Sequence, residues 1–390
     1  MIIENLNISF NNITFPVYIM TKSVGDNCNL NCTYCQSKNK YIGESMSLET
    51  LEKFTKLYIE AQIHSSVNFF WIGGEPLLLG IDYYKKALEF QEKYGKGKKI
   101  NNTIQTNGLL INKDWLNFFK ENDFTVITTI DGPQFCHDHY RIDQSGKGTF
   151  NEVMDSFELI RNSEIKYSVK TTINDYNSKF PLEMYHFFKE NKILNLNFQP
   201  HVSSIRGRVT EWSVSPLSYG NFLCAIFDEW VRRDVGKVNI SIFDNTLKVF
   251  CRKETQNCVY SQTCGHIAMA DVEGNIYTCN RFDADDFQLG NIRNNTITRM
   301  MYGRKQLKFG QQKRSNLTLQ CKKCQFLKFC NGGCPKDRIG CSTNGEKKHN
   351  FLCAGYQKFY NHVSPAMTYM AGEIAEGGNI SRVMTFFDDI

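Results

Sequence analysis

The residues best suited to chemistry in this chain are its cysteines, fifteen among 390 residues. Near the start, "GDNCNLNCTYCQSKNK" (25–40) sets Cys28, Cys32 and Cys35 in the pattern C-x3-C-x2-C. Three thiolates on one four-iron cluster leave one iron open to a ligand that is not protein. Zinc usually takes four protein ligands, often as C-x2-C pairs, and no fourth ligand lies nearby; a zinc knuckle or free thiols is the competing reading. Two further groups follow. "NCVYSQTCGHIAMADVEGNIYTCN" carries Cys258, Cys264 and Cys279. "CKKCQFLKFCNGGC" carries Cys321, Cys324, Cys330 and Cys334 as C-x2-C-x5-C-x3-C, and Cys353 comes later. These eight thiols suffice for two fully ligated four-iron clusters, with zinc again the poorer alternative.

The elements that must position these groups follow a rhythm. "VYIM" (17–20) leads into the first cysteine loop. "SLETLEKFTKLYIEAQ" opens with the N-cap candidate Ser47 and puts Leu48, Leu51, Phe54 and Leu57 on one helical face. "VNFFWI" (67–72) stops at Gly73-Gly74, and a helix follows from about Asp82. "NNTIQT" (101–106) is closed by Asn107-Gly108, and "FTVITTI" (124–130) by Asp131-Gly132-Pro133. "KYSVKTTI" and "LNLNFQP" continue the series with a helix between them. About six βα units imply parallel strands with right-handed crossovers. Six units predict an open, partial barrel, with the informative residues just past the strand ends, where such barrels bind ligands. After about 201 a loop and a helix from Pro216 to Arg233 are expected. From about 240, cysteine, glycine and short turns replace the βα rhythm, which puts a domain boundary there.

Apolar residues make up 41% of the chain and the formal charge is +6, which suits a globular protein and does not by itself imply nucleic acid. No run approaches the length of a membrane span, and the N-terminus lacks the pattern of a secretory signal. A cytoplasmic location is therefore expected. In a reducing compartment cysteines serve metals or redox chemistry more often than disulfides.

Together the triad, Gly73-Gly74-Glu75-Pro76, "QTNG" (105–108), "DGPQFCHDHYR" (131–141), "LGNI" (289–292) and the late cysteine array resemble the radical S-adenosylmethionine enzymes with a SPASM domain. The branch they resemble is the anaerobic sulfatase-maturating enzymes, over about residues 15 to 370. The resemblance implies an α/β fold: a partial (β/α)6 radical SAM barrel over 1–239, then a SPASM domain over 240–390 with a C-terminal helical segment. It implies three 4Fe-4S clusters and S-adenosylmethionine, which is cleaved to a 5′-deoxyadenosyl radical; the cofactor carries the hard chemistry and the protein orients it. By the same resemblance Cys28, Cys32 and Cys35 hold the first cluster, and Gly73, Gly74 and Glu75 hold the methionine amino group. Thr129 and Asn107 match positions near the ribose and carboxylate. Arg141 is a further carboxylate candidate, a turn or surface role being the alternative for Asn107 and Arg141. Cys258, Cys264, Cys279 and Cys334 would hold the first auxiliary cluster, and Cys321, Cys324, Cys330 and Cys353 the second. Cys341 competes with Cys353, whose 18-residue gap from Cys334 looks more family-like. Cys136, Cys224, Cys251 and Cys341 read as small apolar side chains, although Cys136, near the ligand face, could donate a hydrogen atom to a substrate radical.

Three positions depart from the maturase pattern. The family's base is an aspartate just after the third cysteine of the first auxiliary set; here it is Asn280, and an amide cannot take a proton at neutral pH. Ile72 replaces a polar residue ahead of the glycine motif, and Ser37 replaces a tyrosine after the triad. Asp283, Asp285 and Asp286 could replace the base, a solvated turn being the plainer reading. Fold does not fix function, so these changes favour a peptide-modifying enzyme with another product: a crosslink, an epimerisation or a different oxidation. Formylglycine formation with a relocated base is the alternative, and RNA modification ranks below it for want of an arginine-rich or aromatic patch. The expected partners are a peptide or protein substrate and a ferredoxin or flavodoxin as electron donor. With 27 residues before Cys28, leader recognition would need a separate leader-binding protein or the barrel itself. No membrane partner is expected.

Overall fold

The computed structural model describes residues 17–36, 44–255, 257–282 and 285–387. Six parallel strands form its centre in chain order: β1 (Tyr18–Lys22), β2 (Ser66–Ile72), β3 (Lys99–Thr106), β4 (Phe124–Thr129), β5 (Lys166–Ile173) and β6 (Asn195–Pro200). β2, β3 and β4 end just ahead of Gly73-Gly74, Asn107-Gly108 and Asp131-Gly132-Pro133, as expected.

The sheet is wider than six units. A small antiparallel hairpin, β7 (Ser204–Ile205) and β8 (Arg208–Val209), stands apart in the stretch expected to be loop. β9 (Asn239–Ile240) adds in parallel to β6. At the other edge β10 (Ile267–Ala270) adds in parallel to β1, and β11 (Asn275–Tyr277) and β12 (Gln288–Asn291) continue antiparallel. The cysteine-rich half therefore shares the barrel's hydrogen-bonded sheet.

Helices cover the outer face. α1 (Leu48–Glu60) is capped by Ser47, whose hydroxyl accepts from Thr50 N. Its buried stripe is Leu51, Phe54, Thr55, Tyr58 and Ile59; Leu48 is exposed, because the stripe turns away from the first helical residue. α2 (Gly80–Tyr94), α3 (Lys113–Glu121), the single turn α4 (Gln134–His137), α5 (Phe150–Asn162) and α6 (Pro181–Glu190) follow their strands. α7 runs from Pro216 to Arg233, and it packs on the long helix Cys353–Ala375. The two cross where Gly220 meets Gly355, and a side chain on either would overlap backbone of the other helix. This is why the chain's end closes against the barrel.

Strand alternation divides each strand between two environments. On β5, Val169, Thr171 and Ile173 are buried, while Ser168, Lys170 and Thr172 line the interior cavities. Met20 and Lys22, Phe70 and Ile72, and Ile127 and Thr129 line the interior on β1, β2 and β4.

Candidate functional site

The loop after β1 carries the first three thiols, and the turn after β2 is fastened to it. Gly74 N donates to Gly25 O (2.9 Å) and Glu75 N to Asn27 O (2.7 Å). Gly73 has φ +145°, a conformation that side chains resist, and a side chain on Gly74 would overlap the Asn27 carbonyl. Glu75 is fully buried. Its Oε1 accepts from Leu77 N (2.9 Å) and Thr106 Oγ1 (2.8 Å), and its Oε2 from Asn107 N (2.7 Å). Burial pushes this carboxyl up to about 7 against those donors. The sequence reading put Glu75 on the methionine ammonium. In the structure its carboxylate is taken up by three protein donors and lies outside the cavity lining, so the motif offers the cavity Gly73 and Gly74 instead.

That cavity, about 230 Å³, brings together Cys28, Cys32, Cys35, Gly73, Gly74, Asn107, Thr129 and Arg141. Asn107 Nδ2 donates to Asn29 Oδ1 (2.7 Å) and approaches Cys28 Sγ (3.7 Å), which pins the cysteine loop to the end of β3. Thr129 Oγ1 donates to Thr106 O (3.1 Å). Arg141 Nε donates to Asp131 Oδ2 (2.8 Å), the Tyr34 hydroxyl bonds the same oxygen, and the guanidinium lies 5.6 Å from the Tyr34 ring centre. Burial alone would raise the Asp131 carboxyl; Arg141, His137 and Tyr34 hold it below the usual range.

A second cavity of about 1100 Å³ adjoins the first and reaches Cys258, Cys264, Cys279 and Cys334. Ile72 and Asn280 both line it, and Cys279 Sγ lies 3.4 Å from Asn280 Oδ1. Buried cations surround these four thiols. Lys313 Nζ donates to the carbonyls of Cys258 (2.6 Å) and Val259 (2.8 Å). Arg338 donates to the carbonyls of Gly332, Lys313 and Asn331. Neither is among the ion pairs of the described residues. A buried ammonium without a carboxylate is costly, and a thiolate-ligated cluster would supply the missing negative charge.

Cys321, Cys324, Cys330 and Cys353 line a third, small cavity with His349, Tyr356 and Tyr360. Cys341 is exposed and outside it. Burial pushes Cys28, Cys264 and Cys330 up to about 11, and Cys279 and Cys353 to about 12. The ligand form is the thiolate, which a cationic centre among these thiols would favour. Among the described residues no three His, Cys, Asp or Glu side chains close on a single metal ion.

The remaining sequence candidates separate. Cys136 lies in the apolar core with Ile130 and Met184 and lines none of these cavities, which removes it as a hydrogen donor to anything bound there. Cys224 is buried in α7. Asp285 and Asp286 are exposed on a short turn away from the cavities. Ser37 and Asp283 lie outside the described residues. The sequence reading missed Tyr34, Asp131, Lys170, Arg281, Lys313 and Arg338. Lys170 had a signal: it is a charged residue in mid-strand on the row of Ser168 and Thr172.

Comparison with known proteins agrees with this layout. Residues 23–176 match the Radical SAM superfamily model, and residues 263–325 match an iron-sulfur cluster-binding domain, SPASM. A serine-type anaerobic sulfatase-maturating enzyme of Bacteroides thetaiotaomicron is 40% identical, over 96% of each chain. The chain belongs to the anaerobic sulfatase-maturating enzyme family. A cysteine-type maturase of Clostridium novyi is 30% identical over 92% of this chain and 98% of its own. The solved structure of native anSMEcpe with bound AdoMet aligns with TM-score 0.83 at 28% identity, covering 92% of this chain and 100% of that one. The same enzyme with AdoMet and the Kp18Cys peptide aligns equally well, at 0.83. As a member of this family the chain is a radical S-adenosylmethionine enzyme, with three four-iron clusters and S-adenosylmethionine as cofactors. Among the described residues no helix is long and apolar enough to cross a membrane.

Proposed function

We propose that this enzyme oxidises a serine or cysteine side chain of a peptide or protein to formylglycine. The observation that carries the reading is the pair of adjoining cavities: one bordered by Cys28, Cys32, Cys35, Gly73 and Gly74, the other extending from it to Cys258, Cys264, Cys279 and Cys334. The larger is wide enough for several residues of a peptide, and it lies between the two sets of thiols that such an oxidation requires. The full-length likeness to serine-type and cysteine-type maturases supports the same reading. It outweighs the departures at Asn280, Ile72 and Ser37, which point to another product.

In this reading Cys28, Cys32 and Cys35 would hold the first cluster. Cys258, Cys264, Cys279 and Cys334 would hold the first auxiliary cluster, and Cys321, Cys324, Cys330 and Cys353 the second. The clusters and S-adenosylmethionine supply the radical and accept the electron. Gly73 and Gly74 offer backbone to the methionine end, because no side chain keeps it away. Asn107, Thr129 and Arg141 border the same space; Arg141 is held in place by Asp131, so its charge faces the cavity without a search over rotamers. Glu75 braces the wall. A small ferredoxin or flavodoxin is the fitting class of electron donor, and the free cysteines suit the cytoplasm.

Asn280 favours a second reading, hydrogen abstraction with a fate other than the aldehyde. Anaerobic turnover with serine and cysteine peptides, followed by hydrazide capture and mass spectrometry, separates the two. Aldehyde at the target residue supports formylglycine. 5′-Deoxyadenosine without aldehyde on either peptide overturns it.

A further inference from the structure

The altered base position leaves a gap that the proposed function must fill. A carbon radical on serine becomes an aldehyde only when its hydroxyl proton has somewhere to go within hydrogen-bond reach. Asn280 cannot receive it, and Asp285 and Asp286 lie away from the cavities.

In the formylglycine reading the reacting carbon belongs where the two cavities meet, within reach of both sets of thiols. The residues that line both include Tyr34, Cys35, Lys170 and Arg281 beside amides and apolar groups. Four of these are titratable. The Tyr34 hydroxyl is engaged by Asp131. Cys35 belongs to the triad. Arg281 is forked onto Asp337 and keeps its proton at any working pH. Lys170 is the remaining one, and among the described residues its ammonium makes no hydrogen bond or ion pair. Its strand fixes it there: Lys170 pairs in register with Thr129 on one side and Asn197 on the other.

We propose that Lys170 is the base of this enzyme, standing in for the aspartate that Asn280 replaces; the proposal rests on the formylglycine reading. Neutral Nζ takes the proton from the hydroxyl of the substrate carbon radical. The O–H bond breaks and an N–H bond forms, the C–O bond becomes C=O, and the electron released goes to an iron–sulfur acceptor. Lys170 then carries the positive charge until solvent removes the proton through the larger cavity.

The surroundings make a neutral amine accessible. Burial pulls Lys170 down to about 8, Arg141 and Arg281 push the same way, and Asp131 opposes them. The other charged or titratable groups on the cavity walls include Lys22, bonded to Asp26, and Asp337, bonded to Arg281; Asp244, Tyr260 and Lys336 line the larger cavity but not its junction with the smaller. His201, which burial pulls down to about 4, lines the smaller cavity and stays neutral near pH 8.

The test uses the reconstituted enzyme, a serine peptide and three variants: Lys170→Met, Lys170→Arg, and Lys170→Met combined with Asn280→Asp. Iron content and S-adenosylmethionine affinity check each fold. For the wild type, the ratio of aldehyde to 5′-deoxyadenosine should rise with pH to a plateau, with its midpoint near 8. Both single variants should lower that ratio by about 10²–10⁴-fold, the usual worth of a positioned base. The double variant should recover it without the midpoint near 8. A second readout needs no turnover: competitive acetylation of the protein against pH, read by mass spectrometry, should show Lys170 reacting as an amine with pKa near 8. A Lys170→Arg enzyme with the wild-type ratio overturns the proposal and leaves formylglycine formation standing, as does an acetylation midpoint near 10.5. A wild type that makes no aldehyde overturns both.

Discussion

Arg281 Nη2 lies 2.6 Å from Asp337 Oδ1, and Nη1 lies 3.1 Å from Oδ2, so one fork joins the loop after Cys279 to the turn after Cys334. The two thiols line one cavity, and this is the ion pair that ties their loops together. Removing one partner of a buried pair leaves the other charge uncompensated, at about 3–5 kcal/mol. Asp337→Asn should therefore lower thermal stability and cost about four irons, one cluster's worth. Iron assay and a melting curve check it; full iron content at wild-type stability would show that the fork does not position the loops.

Gly74→Ala tests the fastening of the glycine motif. The added carbon would overlap the Asn27 carbonyl, which belongs to backbone that also accepts from Glu75 N. Neither side can yield without shifting the loop that carries Cys28. The expected result is loss of S-adenosylmethionine binding, measured by equilibrium dialysis, with the auxiliary thiols still able to take iron.

His137 sets an acid limit. It is fully buried, with Nδ1 accepting from Asp131 N (3.3 Å), and burial followed by Arg141 pulls its pKa from 6.5 down to about 3. The folded state thus binds fewer protons than the unfolded one between those values. The stabilisation is complete above 6.5 and is lost as pH falls toward 3, amounting to about 2 kcal/mol at pH 5. Melting curves from pH 7.5 to 5 should show the loss, and His137→Gln should flatten it. An unchanged slope in the variant would place the acid sensitivity elsewhere.

Lys313 bears on electron transfer. Its buried ammonium is held by backbone carbonyls beside Cys258, Cys264 and Cys334. A fixed positive charge favours the more negative, reduced state of a cluster there. Lys313→Met should shift that cluster's reduction potential downward in an EPR-monitored titration; an upward shift would contradict the assignment.

Much of this was legible in the sequence because it is local. The ends of β2 to β4 were written in Gly-Gly, Asn-Gly and Asp-Gly-Pro, and α7 was read with its observed bounds, Pro216 to Arg233; its Ser215 cap went unread. The edge strands were not. "IAMA", "NIY" and "QLGN" are too short to show alternation, and they become strands only because β1 offers β10 an open edge and the others build out from it. The same limit applied to the site. Cysteine spacing announces itself, whereas Lys170 and Lys313 matter because of what folding places around them. Glu75 was legible as important, but the direction of its carboxylate depends on Thr106 and Asn107, some thirty residues away.

The central claim, oxidation of a substrate side chain at its β-carbon to formylglycine, is tested most directly with a serine peptide deuterated at that carbon. After anaerobic turnover, mass spectrometry should find deuterium in 5′-deoxyadenosine and an aldehyde at the labelled residue, in matching amounts. Unlabelled 5′-deoxyadenosine, or labelled 5′-deoxyadenosine with no aldehyde in the peptide, would contradict the account.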